Sequence, residues 1–148
     1  MGTSMRVAVY GPGAVGGYFG GRLAQAGVDV TFIARGAHLQ AIRARGLQVE
    51  SLQGDFIIEP AQATGDPGAV GIVDLVILGV KAWQVPDAAR AIRPMIGPAT
   101  IVLPLQNGVD AARMLTDVLG VGPVVGGLCR IMGTIVASGI IRHEGAVP

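Results

Sequence analysis

Cysteine is almost missing from this chain. Cys129 is the only one in 148 residues, so no disulfide can form within it and no cysteine cluster can hold a metal. That usage fits a reducing, cytoplasmic setting. Aromatic residues make up 4% and charged residues 14%, too little charge for a solvated helical bundle or a disordered chain. The formal net charge is +1, which gives no field to draw in nucleic acid or an anionic membrane, so any anion recognition has to be local. Long apolar runs are also lacking: Asp74 and Lys81 bracket the strongest one, and Gly122, Pro123 and Gly126 break the last. No membrane span is expected. Residues 1–4 are polar, lack the apolar core of a secretion signal and precede a second methionine, Met5. They read as an extension ahead of the fold.

What is present is glycine, 24 residues of it, in a chain that is 51% hydrophobic. The length suits one domain with one core. Residues 5–10 read as a strand, residues 14–26 as a helix closed by Gly27, and residues 28–33 as a second strand. This is the order of a βαβ unit, with parallel strands and a right-handed crossover. A short basic helix over 38–45 ends at Gly46, and residues 47–51 and 56–59 flank Gln53-Gly54-Asp55 as a small hairpin. The stretch 64–68, rich in Gly, Asp and Pro, is the best internal linker.

Residues 75–80 are apolar on both faces, as a central strand covered on both sides requires. Pro86 opens a helix that runs to Ile92 and stops before Pro94, residues 101–105 form a further buried strand, and Asp110 is placed to cap a helix over 111–119. Residues 124–130 and 134–141 read as two more strands, the second with a break at Gly139. The alternation predicts an α/β domain with a doubly wound, mostly parallel Rossmann-like sheet, the hairpin being an appendage. Such a cleft needs a second wall, so a fragment of a longer two-domain protein is expected.

The chemistry is carried by the turn Gly11-Pro12-Gly13-Ala14-Val15-Gly16 directly after the first strand. Gly11 allows the sharp bend, Gly13 lets a pyrophosphate approach the backbone, and Gly16 lets helix and strand pack closely. A GxGxxG pattern alone is a weak sign in a glycine-rich chain; its place at the start of a βαβ unit makes it a dinucleotide site. NAD-specific domains carry an Asp or Glu about 20 residues further on. Here Phe32-Ile33-Ala34-Arg35 stands in that place. A guanidinium pairs with a 2′-phosphate that a carboxylate would repel, so NADP(H) is the expected cofactor.

Arg43 and Arg45 read as a solvated basic face, and His38 stays open between a surface position and a phosphate contact. Lys81 and Asn107 follow the strands over 75–80 and 101–105, at the edge where ligands bind in open α/β sheets. Singly, a solvated lysine and an Asn-Gly turn explain them as well; together, with Gln84 one turn beyond Lys81, they favour a shared site. Cys129 reads as a small residue of an apolar strand. His143 and Glu144 are not assigned an acid/base role, and no metal site is expected.

These residues in this order, the glycine turn continuing as Gly17-Tyr18-Phe19-Gly20, then Ala34-Arg35-Gly36, Val80-Lys81-Ala82-Trp83-Gln84 and Leu105-Gln106-Asn107-Gly108-Val109, resemble the N-terminal domain of the ketopantoate reductase family over nearly the whole chain. The resemblance implies NADPH-dependent reduction of ketopantoate to pantoate, on the route to pantothenate and coenzyme A. It implies the pyrophosphate on Gly11 to Gly16, the 2′-phosphate near Arg35, the nicotinamide half near Lys81 and Asn107, and substrate contact by Asn107. It also implies that the proton-donating lysine and most substrate contacts belong to a helical C-terminal domain, so no catalytic residue is assigned within this chain. Two alternatives stand beside it: a related reductase acting on another 2-keto acid, and a non-catalytic nucleotide-binding module. An exposed docking surface is expected to drive self-association, giving a homo-oligomer.

Overall fold

The structure, a computed structural model, describes residues 4–106 and 109–148. Among these described residues, nine strands and four α-helices follow one another as β1 (Arg6–Tyr10), α1 (Ala14–Gln25), β2 (Asp29–Ile33), α2 (Gly36–Arg45), β3 (Leu47–Ser51), β4 (Phe56–Ile58), β5 (Gln62–Thr64), β6 (Leu75–Leu78), α3 (Val85–Ala91), β7 (Ile101–Pro104), α4 (Ala111–Leu119), β8 (Met132–Ala137) and β9 (Ile140–Gly145). Five strands form a wholly parallel sheet in the order β5-β2-β1-β6-β7. The chain steps outward from β1 to one side, then crosses back to β6 on the other. The switch point therefore falls at the carboxyl end of β1, where open α/β sheets bind ligands.

Alternation along the central strands builds a core on each face of this sheet. Ala8, Val76, Leu78 and Val102 cluster with Val85 and Ala88 of α3, Ile92 and Met95 of the turn that follows it, and Leu115 of α4. Val7, Val9, Phe32 and Ile77 point the other way, to Tyr18, Ile42, Leu47, Val49 and Ile141. Phe32 is fully buried, and burial of such a side chain is worth about 1.5–3 kcal/mol.

The second face is covered by α1 and, beyond it, by a four-stranded sheet in the order β4-β3-β9-β8. Helix α1 thus lies between two sheets, and its composition explains how. A Cβ on Gly20 would stand 2.6 Å from Val9 Cγ2, against the parallel sheet; one on Gly17 would stand 2.8 Å from Ile141 Cδ1, against the second sheet. Each glycine inside a helix costs about 1 kcal/mol relative to alanine, and here the close approach of two sheets offsets that cost. The helix ends as expected: Gly27 donates to the Ala24 carbonyl and Val28 to that of Leu23, a Schellman closure with Gly27 at φ +90°.

Several sequence expectations are corrected. The hairpin β3–β4 is no appendage, because β9 pairs with β3 in parallel and makes it an interior strand. Residues 124–130 are not a strand. Only a single bridge joins Val124 to Val102, since Gly126 and Gly127 supply no side chains to pack and Pro123 no donor. The break at Gly139 is a full reversal that separates β8 from β9, with Gly139 at φ +78°. The stretch 64–68 is no linker between units. It leaves β5, a three-residue strand the pattern did not reveal, and Asp66 Oδ1 accepts from the Gly68 amide at 2.9 Å to close the turn. Asp110 occupies the N-cap position of α4 without capping it; its carboxylate faces Arg113 at 3.3 Å instead. Among the described residues no helix is long and apolar enough to cross a membrane.

Candidate functional site

The glycine turn leaves β1 at the switch point. Gly11 takes φ +87°, and its amide donates to the Ile33 carbonyl at 3.1 Å. On the other side a Cβ on Gly11 would press against Val80 Cγ1 at 2.8 Å, and one on Gly79 against the Gly11 oxygen at 2.5 Å. The turn is therefore wedged between the exits of β2 and β6. Gly13 is the N-cap of α1 and makes no side-chain cap, and no acidic residue sits in the first turn. The first amides of α1 are left to an external acceptor, and the helix dipole adds a positive end there. A Cβ on Gly13 would make an ordinary contact with Ile135 Cδ1 at 3.7 Å, so the backbone at the helix start is not tightly crowded. The cradle fits a pyrophosphate.

Arg35 stands at the end of β2, as the exposed N-cap residue of α2 in extended conformation. Among the described residues it forms no ion pair. Arg43, by contrast, donates from Nε to the Ala63 carbonyl at 3.1 Å and is tied to β5. On the β6 side Lys81 is exposed and follows the strand end at Leu78 after Gly79 and Val80. Gln84 Oε1 accepts from the Lys81 amide at 3.0 Å, while the Gln84 amide donates to the Lys81 carbonyl at 2.9 Å. Gln84 therefore closes the turn that presents Lys81. Trp83 beside it is 77% exposed. Asn107 lies outside the described residues, as does Gly108.

Gln106 was part of a sequence motif without a role, and the geometry supplies one. Its Nε2 donates to the carbonyls of Leu78 and Val80 at 2.7 and 2.9 Å. Two carbonyls demand the amide nitrogen, so the orientation of the carboxamide is forced. The side chain clamps the bend between β6 and Lys81 to the end of β7. Its Oε1 is buried and unpartnered among the described residues.

The other candidates are structural. His143 is buried at 2% exposure; its Nδ1 lies 2.9 Å from Ser51 Oγ, and its Nε2 faces the carbonyls of Gly145 and Ala146 at 3.1 and 2.8 Å. Cys129 is half-buried outside any strand and donates to the Leu105 carbonyl at 3.4 Å; burial pushes its thiol up. Two concavities of about 310 and 350 Å³ lie along the second sheet, lined by residues such as Gly46 and Ile140 or Ser51 and Arg142. They are dents in its surface, and none of Gly11, Gly13, Arg35 or Lys81 lines them. Among the described residues no cluster of three or more metal-ligating side chains occurs.

The sequence profile of the family described as ketopantoate reductase PanE/ApbA matches residues 7–148. The chain belongs to the ketopantoate reductase family. A 2-dehydropantoate 2-reductase of Pyrococcus horikoshii is 36% identical over 95% of this chain and 45% of its own. The crystal structure of 2-dehydropantoate 2-reductase from Porphyromonas gingivalis W83 superposes with a TM-score of 0.88 at 40% identity, over 96% of this chain and 52% of that one. D-mandelate dehydrogenase in ternary complex with NADH and anilino(oxo)acetate superposes with a TM-score of 0.86 at 27% identity, over 96% of this chain and 46% of that one. The chain thus spans about half the length of the ketopantoate reductase relatives it matches, and that half is the Rossmann-like domain.

Proposed function

We propose that this chain is the NADP(H)-binding half of a 2-dehydropantoate 2-reductase, which reduces ketopantoate to pantoate. The observation that carries this reading is the uncapped, acid-free start of α1 at the sheet's switch point, with Arg35 at the neighbouring strand end. When bound, the nicotinamide supplies hydride to the keto carbon. The chain's own residues would bind and orient: the amides of Gly13, Ala14, Val15 and Gly16 would hold the pyrophosphate, and the Arg35 guanidinium would take the 2′-phosphate. Lys81, held by Gln84 and by the Gln106 clamp, would place a positive charge on the nicotinamide side, and the family resemblance implies a role for Asn107 there and toward the keto acid. The proton for the developing alkoxide comes from the helical second domain that the family resemblance implies.

Likeness to a D-mandelate dehydrogenase solved with NADH favours a second reading, a reductase of another 2-keto acid using NADH. Titration of the chain with NADPH and NADH, repeated on Arg35→Ala, separates the cofactors. NADPH binds more tightly to the native chain, and the substitution lowers its affinity about tenfold or more while leaving NADH nearly unchanged. An unchanged ratio removes Arg35 from the site. For the substrate, turnover of ketopantoate by the full-length gene product is the test, and activity only with other keto acids selects the second reading.

A further inference from the structure

His38 occupies the first turn of α2 and is half-buried. Its Nε2 lies 2.7 Å from the carbonyl oxygen of Pro12, inside the glycine turn. Its Nδ1 lies 2.9 Å from the amide nitrogen of Gly139, in the reversal between β8 and β9. A backbone amide only donates and a carbonyl only accepts. One state satisfies both contacts, the neutral imidazole with its proton on Nε2, donating to Pro12 and accepting from Gly139.

This ring joins three segments far apart in the chain, and the second sheet's end of the link is itself anchored. The Gly139 carbonyl accepts from the Gln48 amide at 2.9 Å, and a Cβ on Gly139 would stand 2.9 Å from that of Ala41. The β8–β9 reversal is therefore seated on α2. At the other end, Pro12 lies between Gly11, wedged against Val80, and Gly13, which starts α1. Arg35 is the N-cap of the helix that carries His38, less than one turn away.

We propose that His38 is a positioning residue that fixes the start of α2 against the glycine turn, so that Arg35 and the start of α1 meet a 2′-phosphate and a pyrophosphate at one set separation. The inference rests on the proposed cofactor reading and deepens it. A ring that only braced the second sheet would affect stability, or both nucleotides alike. A ring that positions Arg35 affects NADPH more than NADH, because only NADPH carries the phosphate that Arg35 meets.

The test combines a spectrum with a titration. Nitrogen-15 spectra of the native chain are expected to show His38 protonated at Nε2 and bare at Nδ1. His38→Leu is expected to weaken NADPH binding about tenfold and NADH binding by about threefold or less. His38→Gln, which keeps a donor toward Pro12, falls between the two and carries the same comparison if the leucine variant does not fold. In an Arg35→Ala background His38→Leu no longer discriminates between the nucleotides. An Nδ1-protonated ring, equal losses for both nucleotides, or no loss in a folded variant overturns the proposal. A native chain that binds neither nucleotide overturns the cofactor reading, and that failure is visible without any variant.

Discussion

A Cβ placed on Gly16 would stand 2.5 Å from the carbonyl oxygen of Gly11 and 3.2 Å from Cγ1 of Val9. Backbone cannot yield there, because Gly79 closes on the same oxygen from β6. Gly16→Ala is therefore expected to lower stability by about 1–3 kcal/mol and to weaken nucleotide binding, as the start of α1 is pushed off β1. Gly27→Ala is the control. Gly27 needs a positive φ, as Gly16 does not, but a Cβ there meets nothing within 4 Å, so about 1 kcal/mol is lost and binding is retained. Urea unfolding and NADPH titration of both variants check this; equal effects on binding would refute the wedge.

Gln106 holds the carbonyls of Leu78 and Val80 with one nitrogen. Gln106→Met keeps the volume and removes the donor; the Leu78 carbonyl retains the Leu105 amide at 3.2 Å while that of Val80 loses its Gln106 partner, at an expected cost of about 1–3 kcal/mol. Gln106→Glu is expected to be worse, because a carboxylate would face both oxygens. Nucleotide affinity falls in each, since the clamped bend leads into Lys81. A Gln106→Met chain with native stability and native affinity would show that the clamp is idle.

The βαβ start was legible because its signals are local: a glycine turn between an apolar strand and a helix closed by Gly27. Arg35 and Lys81 follow the exits of β2 and β6, as their place after apolar runs suggests, for the same reason. The second sheet was not legible, since the pairing of Gln48 with Ile140 and of Ser51 with His143 joins segments some 90 residues apart and leaves no periodic trace in either. The strand expected over 124–130 failed in the opposite way: its apolar residues read as strand, while its glycines and Pro123 determined the backbone. Gln106 and His38 act through carbonyls and amides of other segments, and backbone partners of that kind carry no sequence signature.

Cys129 gives a pH-dependent prediction. Burial raises its thiol pKa, and Sγ already donates to the Leu105 carbonyl. A raised pKa leaves less thiolate at neutral pH than an ordinary cysteine has, so alkylation by iodoacetamide is expected to be slow at pH 7 and to accelerate at higher pH than for a free thiol. Alkylation at pH 7 as fast as that of free cysteine would contradict both the burial and the hydrogen bond.

An apolar surface lies beside the glycine turn. Ile135 is 54% exposed, Met132 and Val136 are exposed on the same edge strand β8, and Leu128, in the segment leading to that strand, is 95% exposed. Ile135 Cδ1 would lie 3.7 Å from a Cβ on Gly13, so this surface borders the glycine turn, and whatever covers it also walls the cleft. Without cover, such a patch on an edge strand favours association between copies. The native chain is expected to show a mass in light scattering that rises with concentration. Leu128→Ser combined with Ile135→Thr is expected to keep it monomeric over the same range, with stability within about 0.5 kcal/mol of native because neither side chain packs in the core. A native chain that stays a clean monomer at high concentration would refute the association, and a variant that associates equally would move it to another surface.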